Sequence, residues 1–313
     1  MKKFKILFLA MLATISLFAP LTQVAKADSL DEPVMTLGTS LTSSQRQGTI
    51  DVLKSQISSS NYNTLTVTGN TLVTYLNPSG SNFNSNSGVW SSAVIEKTSS
   101  GSGINVSIVN YNGSNNITTI SADQYRNAAL TAGITDANIY VTSATKIDGS
   151  GALAGIYAAY AQNGNSLNQS QVNAAQKEIG VLSSITQAND GKDGYTDEQL
   201  NNAIAGIKSD MAKQGSNITV NQITTIVNNN LQQNNLQNII TDNQKQQIIN
   251  LMVQIRDSGA LKDSNFKDQA QKLSSDITSQ AKNIFNKLNT QENRNFVQKM
   301  WDGIVSFFKG LFS

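Results

Sequence analysis

Two short segments have the residue types of a ligand site. Gly149-Ser150-Gly151-Ala152-Leu153-Ala154 matches the spacing with which a glycine-rich turn brings backbone N–H groups up to a dinucleotide pyrophosphate. That chemistry needs the turn directly after a strand, and an acidic residue about twenty positions further on to hold a ribose. Here the strand-like run ends near Thr142, well short of Gly149, and no acid closes a second strand at the required distance. A small-residue helix packed closely on a sheet accounts for the same glycines. Asn189-Asp190-Gly191-Lys192-Asp193-Gly194 has the outline of a calcium loop. With Gly194 as the sixth residue, the third ligand position falls on Gly191 and the twelfth on Leu200, so the bidentate carboxylate is missing. A turn between helices fits those residues better.

The counts of histidine and cysteine are both 0. No Ser-His-Asp or Cys-His arrangement can therefore exist, and zinc sites of the His/Cys kind, disulfides and thiol switches are excluded with them. Acid–base chemistry would have to come from the 21 Asp and Glu residues. Paired carboxylates of the kind that hydrolyse glycosides could be drawn from these, but no local motif selects two, and their separation in space decides that chemistry. The sequence thus assigns no catalytic residue, no cofactor and no metal ligand.

The C-terminal stretch is more informative. At 100° per residue, Phe296, Val297, Met300, Trp301, Ile304, Val305, Phe307, Phe308, Leu311 and Phe312 fall within one half-circle of a helix, and the polar residues fall in the other. Burying ten such side chains is a gross driving force of about 15–30 kcal/mol before ordering costs. A docking face made of Phe296, Met300, Trp301, Ile304, Phe307, Phe308, Leu311 and Phe312 follows, and it needs an occupant. That occupant is the protein's own helical region, a second copy in a homo-oligomer, a protein partner or a membrane surface. Trp and Phe suit a membrane interface, whereas Lys299 and Lys309 beside Asp302 offer no polybasic attraction to anionic lipid. Charged and polar residues interrupt any run long enough to span a bilayer.

The opposite end reads as an export signal. Met1-Lys2-Lys3-Phe4-Lys5 is basic, an apolar run extends from Ile6 to about Val24, and Ala25-Lys26-Ala27 supplies the small residues a signal peptidase reads. Cleavage after Ala27 would place the mature protein outside the cytoplasm, secreted or attached to the cell surface. The whole chain has 23 basic and 21 acidic residues; losing the leader removes four lysines and no acid, leaving a formal net charge of −2. A basic nucleic-acid-binding surface has no support in that balance. Only 14% of residues are charged, so Asn, Gln, Ser and Thr carry most of the polar surface.

The elements between the two ends alternate at first. Val34 to Leu37 reads as a strand ended by Gly38, and Thr42-Ser43-Ser44-Gln45 as a capping box opening a helix with Ile50, Leu53 and Ile57 on one face. Thr64 to Thr68 alternates as a half-buried strand does. The runs Val89 to Lys97 and Ile104 to Tyr111, joined by Ser99-Ser100-Gly101-Ser102-Gly103, predict a hairpin. The Ser/Asn/Gly-rich stretch from Asn77 to Gly88 is the longest loop. Ser121-Ala122-Asp123-Gln124 caps a helix that Gly133 closes, and a strand over Asn138 to Thr142 and a helix over Gly151 to Ala161 follow. From Ser166 onward the strand signal disappears. Thr196-Asp197-Glu198-Gln199 and Thr241-Asp242-Asn243-Gln244 are capping boxes, and Phe266, Ala270, Leu273, Ile277, Ala281, Ile284 and Leu288 mark a long amphipathic helix. The Asn/Gln run from Asn228 to Asn238 keeps an apolar rhythm and reads as a helix with a polar face.

Met35-Thr36-Leu37-Gly38, the stretch Asn127-Ala128-Ala129-Leu130-Thr131-Ala132-Gly133-Ile134-Thr135-Asp136-Ala137-Asn138-Ile139-Tyr140-Val141-Thr142, and Gly151-Ala152-Leu153-Ala154-Gly155 resemble the YpuA-like exported proteins of Gram-positive bacteria, the family of domain of unknown function 1002. The likeness extends to a helical second half and a Phe/Trp-rich end. It implies export and a two-part layout, and it brings no catalytic residues with it.

The resulting expectation is an α/β (or α+β) N-terminal domain with a mixed sheet over residues 28–162. An all-α helical region over residues 163–290 and an amphipathic aromatic-rich C-terminal helix over residues 291–313 follow the signal peptide of residues 1–27 and that domain. The expected function is non-enzymatic binding or scaffolding at the cell envelope or outside the cell, with docking through the C-terminal helix. The alternative is a carboxylate-dependent hydrolase acting on cell-wall polymer.

Overall fold

A computed structural model of the chain describes residues 32–162 and 167–287; the leader and the aromatic C-terminal segment lie outside the described residues. The fold starts with β1 (Val34–Gly38), buried along its whole length because it is covered on both sides. Met35 and Leu37 pack with Val94, Leu53 and Ile57 on one face, while Thr36 faces the opposite side of the sheet. The helix α1 (Ser43–Lys54) starts at the foreseen Thr42/Gln45 capping box and returns the chain to β2 (Asn63–Val67), parallel to β1. Ile57, expected on that helix, lies beyond its end and still reaches the core.

A second helix, α2 (Gly69–Leu76), and a 3₁₀ turn over Asn77–Ser79 come next; neither has a counterpart in the sequence reading. Asn77 holds the following loop through its side chain, donating to Phe83 O at 2.8 Å and accepting from Phe83 N at 2.9 Å. Then come β3 (Ser91–Lys97), β4 (Ile104–Ile108), α3 (Ala122–Thr131), β5 (Ala137–Ser143) and α4 (Ser150–Gln162). The five-stranded mixed sheet has the order β2-β1-β3-β5-β4. Two parallel strand–helix–strand units, β1-α1-β2 and β4-α3-β5, therefore flank β3, which is antiparallel to both of its neighbours.

That order overturns the expected hairpin. β3 and β4 run in opposite directions, as hairpin partners would, but β5 lies between them. The cause is burial. β5 is covered at Ile139, Val141 and Thr142, whereas β4 alternates buried Ile104 and Val106 with exposed Asn105 and Ser107, the pattern of an edge strand with one wet face. Asp136, at the head of β5, ties down the connecting loop. Its carbonyl accepts from Thr98 N at 2.8 Å, and its Oδ1 accepts from Gly103 N at 2.9 Å.

Among the described residues five α-helices follow: α5 (Gln169–Asn189), α6 (Asp197–Gln214), α7 (Val220–Gln233), α8 (Asp242–Asp257) and α9 (Phe266–Lys287). α6 lies against α3, α5, α7 and α9, and one apolar cluster runs without a break from the sheet through α4 into these helices. The Asn/Gln run is helical only to Gln233; Asn235 turns the chain in a left-handed conformation, φ 57°, a region Asn tolerates well. Its Asn residues are not a polar outer face throughout. Asn230 and Asn234 are buried, and Asn234 Oδ1 accepts from Asn202 Nδ2 at 2.9 Å.

Candidate functional site

The two segments with ligand-site spacing serve the fold. At the start of α4, Ser150 N donates to Asp148 Oδ1 at 3.0 Å and Ala152 N to Ser91 Oγ at 2.9 Å, so two of the donors a phosphate would use are taken. A Cβ on Gly151 would lie 2.6 Å from Val89 Cγ1, and one on Gly155 would lie 2.6 Å from Thr36 Oγ1. These glycines let the helix lie against the sheet. The Asn189–Gly194 segment is the α5–α6 turn, in which Asn189 Oδ1 accepts from Lys192 Nζ at 2.9 Å, a cation where calcium would sit. Among the described residues no three acidic side chains gather as a metal site would need.

A buried polar seam joins α3, α5 and α6. Lys208 on α6 and Glu178 on α5 are both 0% exposed, with Nζ 2.6 Å from Oε1. Two such charges stay ionised away from water only if neighbours solvate them. Lys208 Nζ donates to Asn127 O at 2.8 Å and to Asn127 Oδ1 at 3.2 Å, and Glu178 Oε2 accepts from Thr131 Oγ1 at 2.6 Å. Burial lowers the pKa of Lys208, and the Glu178 carboxylate offsets part of that. From Asn127 the seam continues: its Nδ2 donates to Asn201 Oδ1, and Asn201 Nδ2 donates to Asp197 Oδ2. Asp197 Oδ1 also accepts from Gln124 Nε2 at 3.2 Å and Thr186 Oγ1 at 2.8 Å. Burial raises the pKa of both Asp123 and Asp197. Asp123 pairs with Arg126 at 3.1 Å, and Arg126 also reaches Asp276 on α9 and Ile104 O.

One departure from the sequence pattern lies at the start of α6. Thr196 caps α6 as expected, but Gln199 does not return to complete the box; its Nε2 donates to buried Asn234 O at 2.9 Å instead. A long-range partner thus takes the Gln199 amide in place of the local one, and Gln199 Oε1 is left without a protein donor.

Open to solvent is a groove on the other side of α5. Its floor is α5 and α8, and its wall is the turn after α2. One cavity of about 590 Å³ is lined by Ser79, Gly80, Ser81, Gln176, Lys177, Gly180, Val181, Ser184, Gln247, Asn250, Leu251 and Gln254. An adjoining one of about 390 Å³ shares Ser79, Lys177 and Gln254 and adds Pro78, Ser170, Asn173, Ala174, Asp257 and Ser258. From Gln247 to Ser258 the groove follows α8 for about 16 Å. The one carboxylate among these residues, Asp257, lies 2.7 Å from Arg256 Nε. Hydrogen-bonding amides and hydroxyls dominate, and such a surface can bind a polar ligand but holds no acid–base pair.

The family described as protein of unknown function DUF1002 matches residues 37–273, which takes in the sheet from the end of β1 onward, the Glu178–Lys208 pair and both walls of the groove. The chain belongs to the DUF1002 family. It is similar to uncharacterized protein YpuA of Bacillus subtilis (strain 168), at 29% identity over 314 residues that cover 97% of this chain and 100% of that protein. No solved structure matches. Residues of the DUF1002 fold that the sequence reading did not single out are those of the groove, Gln176, Lys177 and Gly180, and of the buried pair, Glu178 and Lys208. No local spacing marks them, since each gains its meaning from a second helix. The docking face from Phe296 to Phe312 lies outside the described residues.

Proposed function

We propose that this DUF1002 protein is an exported, non-enzymatic binding protein of the cell envelope, with the α5–α8 groove as its ligand face and the aromatic C-terminal segment as its docking element. The groove's lining carries the proposal: amides and hydroxyls over two joined cavities, with a single carboxylate that is already ion-paired. Hydrolysis by paired carboxylates needs two free acids converging on one bond. Asp123 and Asp197, two buried acids near one another, are committed to Arg126, Gln124, Thr186 and Asn201. Export is supported by the basic, apolar and A-x-A order of the first 27 residues, and docking by the one-sided aromatic face.

Incubation with purified, insoluble cell-wall polymer tests the reading. The chain should pellet with the polymer and release no new reducing ends. Release of reducing ends would move the function to the hydrolase, and absence of pelleting would remove the groove's assigned role. Docking is tested with vesicles: Trp301→Asp with Phe308→Asp should abolish pelleting on lipid while leaving pelleting on polymer unchanged.

A further inference from the structure

Apart from Asp257, which is paired with Arg256, the groove's lining has one charged side chain. Lys177 stands where the two cavities meet, lining both, and it is exposed with no ion-pair partner among the described residues. Beside it, Gln176 Nε2 donates to Ser81 Oγ at 3.4 Å, while its Oε1 is buried without a protein donor. An amide can be turned end for end, yet either way one end meets no protein group. Gln176 itself is half-buried and lines the larger cavity, so its amide can turn outward to a ligand.

The lining also discriminates between kinds of polymer. Peptides are captured by adding a strand to a sheet edge, by seating an apolar helix face, or by stacking prolines on aromatic rings. Among the described residues no strand and no aromatic side chain lines this groove, and its larger apolar side chains are Val181, Leu251 and Pro78. Amides and hydroxyls, each both donor and acceptor, match alcohols.

Resting on the binding function proposed above, we infer that the ligand is an anionic polyhydroxyl polymer. Its hydroxyls would bond to Gln176, Gln247, Asn250 and Gln254, and its carboxylate or phosphodiester would sit against Lys177. Isothermal calorimetry of the full-length chain separates these parts, using a uronic acid oligosaccharide, a glycerol phosphate oligomer and a neutral dextran of matched length. One of the two anionic oligomers binds, and which one does so identifies the source of the charge. Lys177→Gln weakens that binding about tenfold, and Lys177→Arg restores most of it. Gly180→Trp abolishes it. A Cβ at Gly180 meets nothing within 4 Å, so the indole can enter the groove without displacing the helix, and an unchanged thermal melt verifies this.

Dextran binding that survives Lys177→Gln but is lost in Gly180→Trp would overturn the anionic assignment while the groove stays a binding site. Anionic binding indifferent to both substitutions, or silence from all three oligomers, would overturn the inference. Loss of cell-wall pelleting in Gly180→Trp would still support the groove as ligand face; unchanged pelleting would remove the broader reading with it.

Discussion

Helix α5 presents two polar faces that share residue types and differ in what surrounds them. On one, Glu178, Ser183 and Thr186 bond to α3 and α6 in places that water does not reach freely. On the other, Gln176, Lys177, Gly180 and Ser184 line the groove. Lys177 and Glu178 are adjacent in the chain, yet one is exposed and unpaired and the other is 0% exposed and paired with Lys208. Where water is excluded, an unmatched charge is so costly that the surrounding sequence must supply a partner. Where water has access, a cation can stand alone at little cost, and is free for a ligand. On α5, the exposed unpaired cation therefore marks the face that can bind, and the buried paired charge marks the face that holds the fold.

The sharpest way to break this contrast is at the buried pair. Lys208→Met leaves Glu178 charged and unmatched and should cost about 3–5 kcal/mol in urea unfolding. Adding Glu178→Leu should recover most of that loss, since the penalty belongs to the orphaned charge more than to the missing attraction. A single variant that unfolds like the parent would mean the pair is wet. Next in size is Asn127→Ala, which strips an acceptor from Lys208 and a donor from Asn201. A loss of about 1–3 kcal/mol is expected, read by the shift of the denaturation midpoint.

Asp197 sharpens the contrast through pH. Burial raises its folded-state pKa, so the favourable contribution of its protonated form is fully present below about pH 3.9, the unfolded value, and is lost as pH rises through the folded value. Asp197→Asn does not titrate. Its stability measured against the parent should therefore improve as pH is raised from about 4 to 7, and a gap that stays constant would deny the effect of burial. The smallest effects belong to the groove. Gly180→Ala should stabilise the chain by about 0.5–1 kcal/mol, through helix propensity alone. Lys177→Gln should change stability by less than about 0.5 kcal/mol. A larger loss at Lys177 would give that residue a structural partner and weaken its assignment to a ligand.

Much of the secondary structure was legible because its signals are local. Thr42/Gln45, Ser121/Gln124 and Thr241/Gln244 form the capping boxes their spacing predicts, since the bond partners lie three residues apart. Phe266, Ala270, Leu273 and Ile277 are buried as their helical period requires. α2 was missed between the β2 strand signal and a Ser/Asn-rich loop, although Thr68 and Thr71 cap it with a Thr/Thr variant of the box. The candidate site was not legible at all. Nothing in Gln176-Lys177-Glu178 distinguishes a groove wall from a core ion pair, because on an isolated helix all three would be exposed.

The sequence alone determined the starts of the helices with Thr42, Ser121 and Thr241 caps, the mixed α/β character, the absence of histidine and cysteine chemistry, and the close-packing role of glycines at the start of α4. Those properties depend on composition or on neighbours a few residues away. Tertiary structure decided that β5 would separate β3 from β4, that Gln199 would leave its cap for Asn234, and that Glu178 would meet Lys208 thirty positions further on. In each case the deciding quantity is the cost of burying a surface or a polar group, and burial is set by segments far away in the chain.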